Sequence, residues 1–327
     1  MKEILQYLFN HNTLSKAEAK AILIEIAQNK FNENEVASFV TVFLMRTITL
    51  EELEGFRNAL LHLAMPINLG SGLVDIVGTG GDGKNTFNIS TLASFIVAGT
   101  GQKVAKHGNY GVTAISGSSN VLEELGYKFK DNEDELQGDL ENANICFLHA
   151  PLFHPALKTV APLRKGLGLR TFFNVLGPLV NPARPDFSMI GVYDLEIARL
   201  YQYLLQKQNT NFMLVHGLDG YDEISLTADT KIFDKNGESI YSAEELGFKN
   251  IEAESISGGK TKVESAEIFL QILKGEGTYE QNAVVLANAA KALQNTEKYG
   301  TYEDCLNLAK DSLYSGKALN CLKVLTK

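Results

Sequence analysis

Two glycine-rich stretches and one pair of adjacent acids hold the residue types that could bind phosphate and metal. Gly78-Thr-Gly-Gly-Asp-Gly83 places four glycines in six residues, which lets backbone approach a ligand closely. The stretch satisfies the G-x-G-x-x-G spacing of dinucleotide sites, but such a site also needs an acid about 20 residues further on. The chain has Lys106 and His107 there. Gly78 to Asn85 also nearly fits the G-x-x-x-x-G-K-[ST] phosphate loop, yet Asn85 stands where the magnesium-binding hydroxyl belongs. Asp82 would put a negative charge inside the phosphate cradle. Neither motif is complete. Asn88-Ile-Ser-Thr91 then opens an apolar helix, Leu92–Ala98. Ser90 or Thr91 either caps that helix or, with its free amides, forms an anion site. Ser90 can also offer a hydroxyl to a hard cation.

A second run, from Lys106 to Ser119, follows the expected strand Val104–Ala105. It combines a cation and glycines with five neutral hydrogen-bonding side chains, Asn109, Thr113, Ser116, Ser118 and Ser119. Two polyanion-binding loops on successive strands suit a ligand with phosphates at two ends. Asp222 and Glu223 are adjacent carboxylates in a glycine-containing loop. They read either as a solvated acidic turn or as ligands for Mg²⁺ bound together with waters and phosphate oxygens. Arg164 reads either as half of a structural ion pair or as a bidentate partner for a substrate carboxylate.

These residues need a scaffold, and the hydrophobic pattern supplies one. Residues 1 to about 65 carry apolar positions at helical spacing, with Ser15/Glu18 and Thr49/Glu52 as capping boxes. A small helical bundle follows, whose leftover apolar faces could serve a dimer interface. Pro66 to Gly72 reads as a hinge. Beyond it, short apolar runs (73–77, 103–105, 145–148, 187–192, 212–215) alternate with helical stretches, the pattern of an α/β domain on a mainly parallel sheet. Ligands of such sheets bind outside the carboxyl ends of the strands. Residues 131–135 read as a solvated helix start. Lys231–Gly259 reads as an antiparallel excursion or surface insertion, with a turn at Asn236-Gly237.

Composition narrows the class further. Acids outnumber bases 39 to 30, for a formal charge of -9, which disfavours a general nucleic-acid binder. The three cysteines, Cys146, Cys305 and Cys321, are widely spaced, which favours a reduced, cytoplasmic compartment. The opening residues break into Asn10-His-Asn12 too early for a secretory signal, and no apolar run approaches the ~18 residues of a membrane span.

The motifs in order resemble the anthranilate phosphoribosyltransferase family. The resemblance rests on G-T-G-G-D at 78–82, N-x-S-T at 88–91, K-H-G-N at 106–109, Phe153-His-Pro-Ala156, the run from Pro162 to Thr171, F-N-x-L-G-P-L-x-N-P from Phe173 to Pro182, and Val215 to Ser225. It extends from the N-terminal helices to about Ala290. Two departures stand out. Tyr110 replaces a frequent Arg, and Asn120 ends a loop that often closes with Asp.

The resemblance implies a helical domain, residues 1–66, joined by an excursion near 164–184, and an α/β domain, residues 72–327, with the site in a cleft that closes about the hinge. It implies transfer of the phosphoribosyl group of phosphoribosyl diphosphate (PRPP) to the amine of anthranilate with release of pyrophosphate, in tryptophan biosynthesis, with Mg²⁺ as cofactor and a homodimer through the helical domain. PRPP contacts are expected from Gly78, Gly81, Asp82, Thr86, Asn88, Ile89, Ser90 and Thr91 on the first loop. The second contributes Lys106, His107, Gly108, Asn109, Tyr110, Gly111, Val112, Thr113, Ala114 and Ser118. Lys106 is expected to pair with the leaving diphosphate. Ser90, Asp222 and Glu223 are the expected metal ligands. Gly78, Asn109 and Arg164 are the expected anthranilate contacts, with His107 and His154 shaping the aromatic pocket. No nucleophile or general base is required, because an aromatic amine is neutral near pH 7 and orientation can bring it onto C1.

Two other readings compete. A class II pyrimidine nucleoside phosphorylase would share the fold but need phosphate as nucleophile. A non-catalytic nucleic-acid-binding relative would show a basic stripe and eroded metal ligands. The Asp222-Glu223 pair and the context of Arg164 count against the first, and the formal charge of -9 with the intact Asp-Glu pair counts against the second. Arg164→Ala is expected to raise the KM for anthranilate more than that for PRPP. Steady-state kinetics with each substrate varied would check this, and an unchanged anthranilate KM would remove Arg164 from the role.

Overall fold

The computed structural model describes residues 1–111, 115–208 and 210–327, without the side chain of Arg164. Val112, Thr113 and Ala114, expected on the second loop, lie outside the described residues. The chain forms two compact units. One comprises Met1–Pro66 with Ala150–Arg184, the other Ile67–His149 with Pro185–Lys327.

In chain order the elements are α1 (Lys2–Phe9), α2 (Lys16–Ala27), α3 (Glu33–Met45), α4 (Leu50–Leu63), β1 (Val74–Gly78), α5 (Ile89–Gly99), β2 (Val104–Gly108), α6 (Ser118–Glu124), α7 (Glu133–Ala143) and β3 (Ile145–His149). They continue with α8 (Ala150–Phe153), α9 (Pro155–Leu167), α10 (Phe172–Leu176), β4 (Phe187–Gly191), α11 (Leu195–Gln206) and β5 (Asn211–Gly217). The last are β6 (Thr230–Asp234), β7 (Gly237–Tyr241), α12 (Lys262–Leu273), α13 (Tyr279–Asn295), α14 (Tyr302–Tyr314) and α15 (Lys317–Leu325).

The helical unit owes its shape to caps and aromatic packing. Helices α2, α3 and α4 start at reciprocal capping boxes on Ser15/Glu18, Asn32/Glu35 and Thr49/Glu52. Glu52 does more than cap. It is fully buried, receives Arg46 through two hydrogen bonds of 2.8 and 2.6 Å, and accepts the Leu14 N–H at 2.9 Å. Burial alone would raise its carboxyl, but Arg46 and the amides of Leu14 and Thr49 outweigh that and hold it below its ordinary value. The segment returning from the other unit brings Phe172 onto Phe56 in a stack 4.5 Å between centroids, with Phe39 and Phe43 edge-on around it. Sites on such a cluster favour edge-to-face and offset contacts over open apolar surface.

In the α/β unit seven strands form one sheet in the order β3-β2-β1-β4-β5-β6-β7. The first five are parallel, and β6 and β7 add antiparallel edges joined by a turn at Lys235-Asn236. The expectation of a small helical domain plus an α/β domain on a mainly parallel sheet holds. Helices α5 and α13 pack together and are buried along nearly their whole length. That accounts for their lack of a polar stripe, since a helix apolar all round belongs in a core. No helix among the described residues is long and apolar enough to cross a membrane.

Strand ends differ from the sequence reading at one place that matters. The strand expected at 103–105 runs on to Gly108, so Lys106 and His107 belong to β2 and not to the loop after it. Asp75 on the neighbouring strand β1 is also buried, and its carboxylate accepts the backbone N–H of His107 at 3.2 Å.

Candidate functional site

The first loop leaves β1 at Gly78 and turns sharply. Gly80, Gly81 and Gly83 all have positive φ, at 63°, 76° and 77°, a region that side chains disfavour. Asp82 accepts the Lys84 N–H at 3.0 Å and steadies the turn. The chain then enters α5 with Asn88 as N-cap. Asn88 makes no side-chain cap bond. Its amide instead donates to the Ser116 carbonyl at 3.0 Å and ties the first loop to the second. Ser90 and Thr91 lie inside the helix, so neither caps it. Thr91 and Ile89 are buried, and Thr86 forms an isolated bridge with Ser257.

Above the carboxyl ends of β1 and β4 lies the loop that carries the acids. Asp222 accepts the Gly80 N–H at 2.7 Å and the Thr79 hydroxyl at 3.4 Å. Glu223 accepts the Ser90 N–H at 3.3 Å, at the end of α5 where the helix dipole favours negative charge. Such close seating depends on two glycines paired across the strands, Gly78 and Gly191. A Cβ on Gly78 would meet the Asp222 carboxylate, and one on Gly191 would overlap the Asp222 carbonyl oxygen. From behind, Asn288 on α13 holds the loop. It accepts the Ile224 N–H at 3.2 Å and donates to the Ile224 carbonyl at 2.9 Å.

Electrostatics follow from this crowding. Burial raises the Asp222 carboxyl, and Asp82 adds to the shift. Burial also raises Glu223, with Asp222 and Asp82 contributing. Lys106 lies beneath. Its ammonium donates to the Ile76 carbonyl and lies 3.4 Å from the Ser90 hydroxyl. Burial brings its pKa down to about 8, opposed by Asp75 and Glu223. Lys84 adds a further cation, 4.6 Å from the centroid of the Tyr221 ring.

Gly78, Asp82, Ser90, Lys106, Asp222 and Glu223 are thus neighbours, and Asn88 links them to the second loop. Among the described residues no cluster of three or more His, Cys, Asp or Glu side chains could hold a metal ion alone. Two repelling carboxylates beside a hydroxyl still fit a hard cation that keeps waters and takes ligand oxygens.

The second loop starts at Asn109. Asn109 accepts the Tyr110 N–H through its side chain at 2.8 Å, and its carbonyl accepts from Ser118 Oγ and the Ser119 N–H, each at 3.2 Å. Gly108 lets Ser118 approach, and Gly111 donates to Asn120 at 3.0 Å. The backbone of Arg164 belongs to α9 of the helical unit. His154 of the same unit meets the Val180 carbonyl at 2.8 Å, and burial lowers its pKa to about 4.

Sequence reasoning missed Gly191, Asn288 and Lys84. Lys84 is the lysine of the near-match to the phosphate loop, and a lone Asn inside the apolar run 283–293 was the signal for Asn288. Gly191 offered none beyond a glycine at a strand end.

Comparison with known proteins agrees with this architecture. The chain matches the glycosyl transferase family at its helical bundle domain over residues 2–64 and its a/b domain over residues 70–319. It is 53% identical over 326 residues to the anthranilate phosphoribosyltransferase of Flavobacterium johnsoniae, covering 99% of this chain and 98% of that protein. The crystal structure of the Thermus thermophilus anthranilate phosphoribosyltransferase superimposes with a TM-score of 0.91 at 31% identity, over 98% of each chain. That of the Saccharomyces cerevisiae enzyme in complex with PRPP and Mg gives 0.90 at 27% identity, over 98% of this chain and 95% of that one. The chain belongs to the anthranilate phosphoribosyltransferase family.

Gly191→Ala is expected to destabilise the protein by about 2 kcal/mol or more, the scale of overpacking in a filled site, and to displace the Asp222 loop. Denaturant melts with activity measured alongside would check this. A variant as stable and active as the parent would mean the loop does not rest on Gly191.

Proposed function

We infer that this chain transfers the phosphoribosyl group of PRPP to the amine of anthranilate, giving N-(5-phosphoribosyl)anthranilate and pyrophosphate in tryptophan biosynthesis. The observation that carries the reading is the seating of Asp222 and Glu223 against the glycine loop and the start of α5, within a chain of this family. Neither a nucleoside phosphorylase nor a nucleic-acid binder accounts for it as well.

The chemical problem is stabilising the leaving group. Negative charge grows on the diphosphate as the C1–O bond breaks, while the ribose becomes oxocarbenium-like. Asp222, Glu223 and the Ser90 hydroxyl are proposed to hold Mg²⁺. When bound, it would neutralise charge on the diphosphate oxygens. Lys106 supports this from below, since its ammonium reaches Ser90 and is kept in place by the Ile76 carbonyl. The glycine loop and the second loop are proposed to enclose PRPP, with Asn88 coupling the two. Gly78, Asn109 and Arg164 are proposed to contact anthranilate, Arg164 through its carboxylate on the strength of the Pro162-Leu-Arg-Lys context. The amine nitrogen forms its bond to C1 as the C1–O bond breaks and then gives up one proton to water or the departing diphosphate, so positioning of the neutral amine supplies the remaining rate advantage without a protein base.

Loss of anthranilate fluorescence with purified protein tests the reading. Loss that requires protein, PRPP and Mg²⁺ together is expected. Folded protein that leaves anthranilate unchanged beside intact PRPP would overturn it. In the same assay Asp222→Asn with Glu223→Gln is expected to lower kcat and demand more Mg²⁺. A parental metal titration would show that these side chains are not ligands.

A homodimer through the helical unit is also proposed. Phe9 and Met45 are 60% and 85% exposed, with Tyr7 and Leu44 on the same two helices, more apolar surface than a small unit gains from leaving open. Light scattering is expected to give twice the chain mass of 35.8 kDa, and a monomer at micromolar concentration would rule the dimer out.

A further inference from the structure

Helix α13 is buried along nearly its whole length, yet it carries a carboxamide in its middle. Asn288 is 2% exposed. Asn is a poor residue for a helix interior, and a buried polar group costs stability unless its bonds are made. Its amide donates to the Val284 carbonyl at 2.8 Å, one turn back, and to the Ile224 carbonyl at 2.9 Å. Its oxygen accepts the Ile224 N–H at 3.2 Å. The first bond stays within the helix. The other two reach 64 residues back along the chain and grip one residue by both of its backbone groups.

Ile224 follows Glu223 directly. Its N–H lies in the same peptide plane as the Glu223 carbonyl, so Asn288 fixes the backbone from which Glu223 projects. The acids need such a hold. The bond from the Ser90 N–H to Glu223 is long, at 3.3 Å, and burial, Asp222 and Asp82 all raise the Glu223 carboxyl. Two residues beyond Ile224, Leu226 has φ 61°, a left-handed backbone that a bulky side chain disfavours. Strain of that kind persists where surrounding contacts over-determine it. Leu226 is buried, and its carbonyl accepts the Ile251 N–H at 3.1 Å. The acid loop is therefore held from outside and not by its own backbone preference. Helix α13 also packs on α5, whose first turn carries Ser90. One buried helix thus bears on the hydroxyl through α5 and on the acids through Asn288.

We propose that Asn288 is a positioning residue for the divalent cation, acting by fixing Ile224 so that Asp222 and Glu223 keep their places against the glycine loop and the start of α5. This rests on the reading that Asp222, Glu223 and Ser90 hold Mg²⁺. A partner one step behind a ligand orients it without touching the metal, and its loss commonly lowers metal affinity by about 10–100-fold.

Asn288→Ala, Asn288→Ser and Ser312→Ala test the proposal. Mn²⁺ is the probe, its binding read by electron paramagnetic resonance with PRPP present and anthranilate absent, against a protein-free PRPP blank. Asn288→Ala is expected to raise the Mn²⁺ Kd about tenfold. The Mg²⁺ needed for half-maximal turnover is expected to rise to match, while the anthranilate KM at saturating Mg²⁺ moves less than about twofold. A serine hydroxyl in a helix bonds back to the carbonyl one turn earlier, so Asn288→Ser keeps the Val284 bond and gives up Ile224. It is expected to show the same shift and serves if Asn288→Ala does not fold. Ser312→Ala controls for lost stability alone, because Ser312 on α14 donates to the Ile96 carbonyl at 2.6 Å in the second half of α5. It is expected to melt earlier with parental Mn²⁺ affinity. Parental Mn²⁺ affinity in an Asn288 variant, an equal loss in Ser312→Ala, or an equal loss for anthranilate would each overturn the proposal. A parent protein that binds no Mn²⁺ beside PRPP would instead overturn the reading of the metal ligands on which it rests.

Discussion

Carboxylates do not willingly crowd together, and the α/β unit is arranged around three that do, Asp222 buried and Glu223 and Asp82 half-buried. Asp222 and Glu223 are neighbours in sequence, with Asp82 close enough to raise both. Each charge is partly answered by a donor the fold has fixed in advance. The Gly80 amide serves Asp222, and the first turn of α5 serves Glu223. Those donors reach the acids only because strands β1 and β4 end in facing glycines, and because Asn288 holds the acid loop from the other side. The residual repulsion is what a divalent cation would relieve. Stability is given up locally so that a ligand can restore it.

Most of the framework was legible in the sequence. Five apolar runs became five parallel strands, and the two capping boxes named in the sequence start α2 and α4. Periodicity reports burial, and burial is what a sheet core and a bundle share. What it could not report were contacts between residues far apart in the chain. Lys106 read as a loop cation because charge signals exposure. In the fold its long apolar stem lies in the sheet, and its ammonium finds the Ile76 carbonyl and Ser90. Glu52 likewise read only as a cap, while in the fold it is a buried carboxylate paired with the half-buried Arg46.

At the site, motif residues were legible as types but not as pairs. Asn88 read as part of a phosphate-binding run, and the structure uses its amide to tie two loops together. Tyr110 and Asn120 read as losses of charge. In place they are hydrogen-bonding residues, one meeting Glu123 and the other meeting two backbone amides. Net charge on a motif is therefore a poor guide to the hydrogen bonds it makes, because a backbone N–H donates to a carboxamide oxygen as it does to a carboxylate.

The discontinuous helical unit has a consequence for synthesis. Domains tend to fold as units while the chain emerges, N-terminal first. Here the first four helices emerge early, but Phe172, which stacks on Phe56 and is ringed by Phe39 and Phe43, follows only after β1, β2 and β3 have been made. The N-terminal bundle therefore leaves the ribosome with an uncovered aromatic face. It must wait through the synthesis of Ile67–His149, more than a third of the other unit, before its own core can close, and during that interval its aromatic face is open to a chaperone.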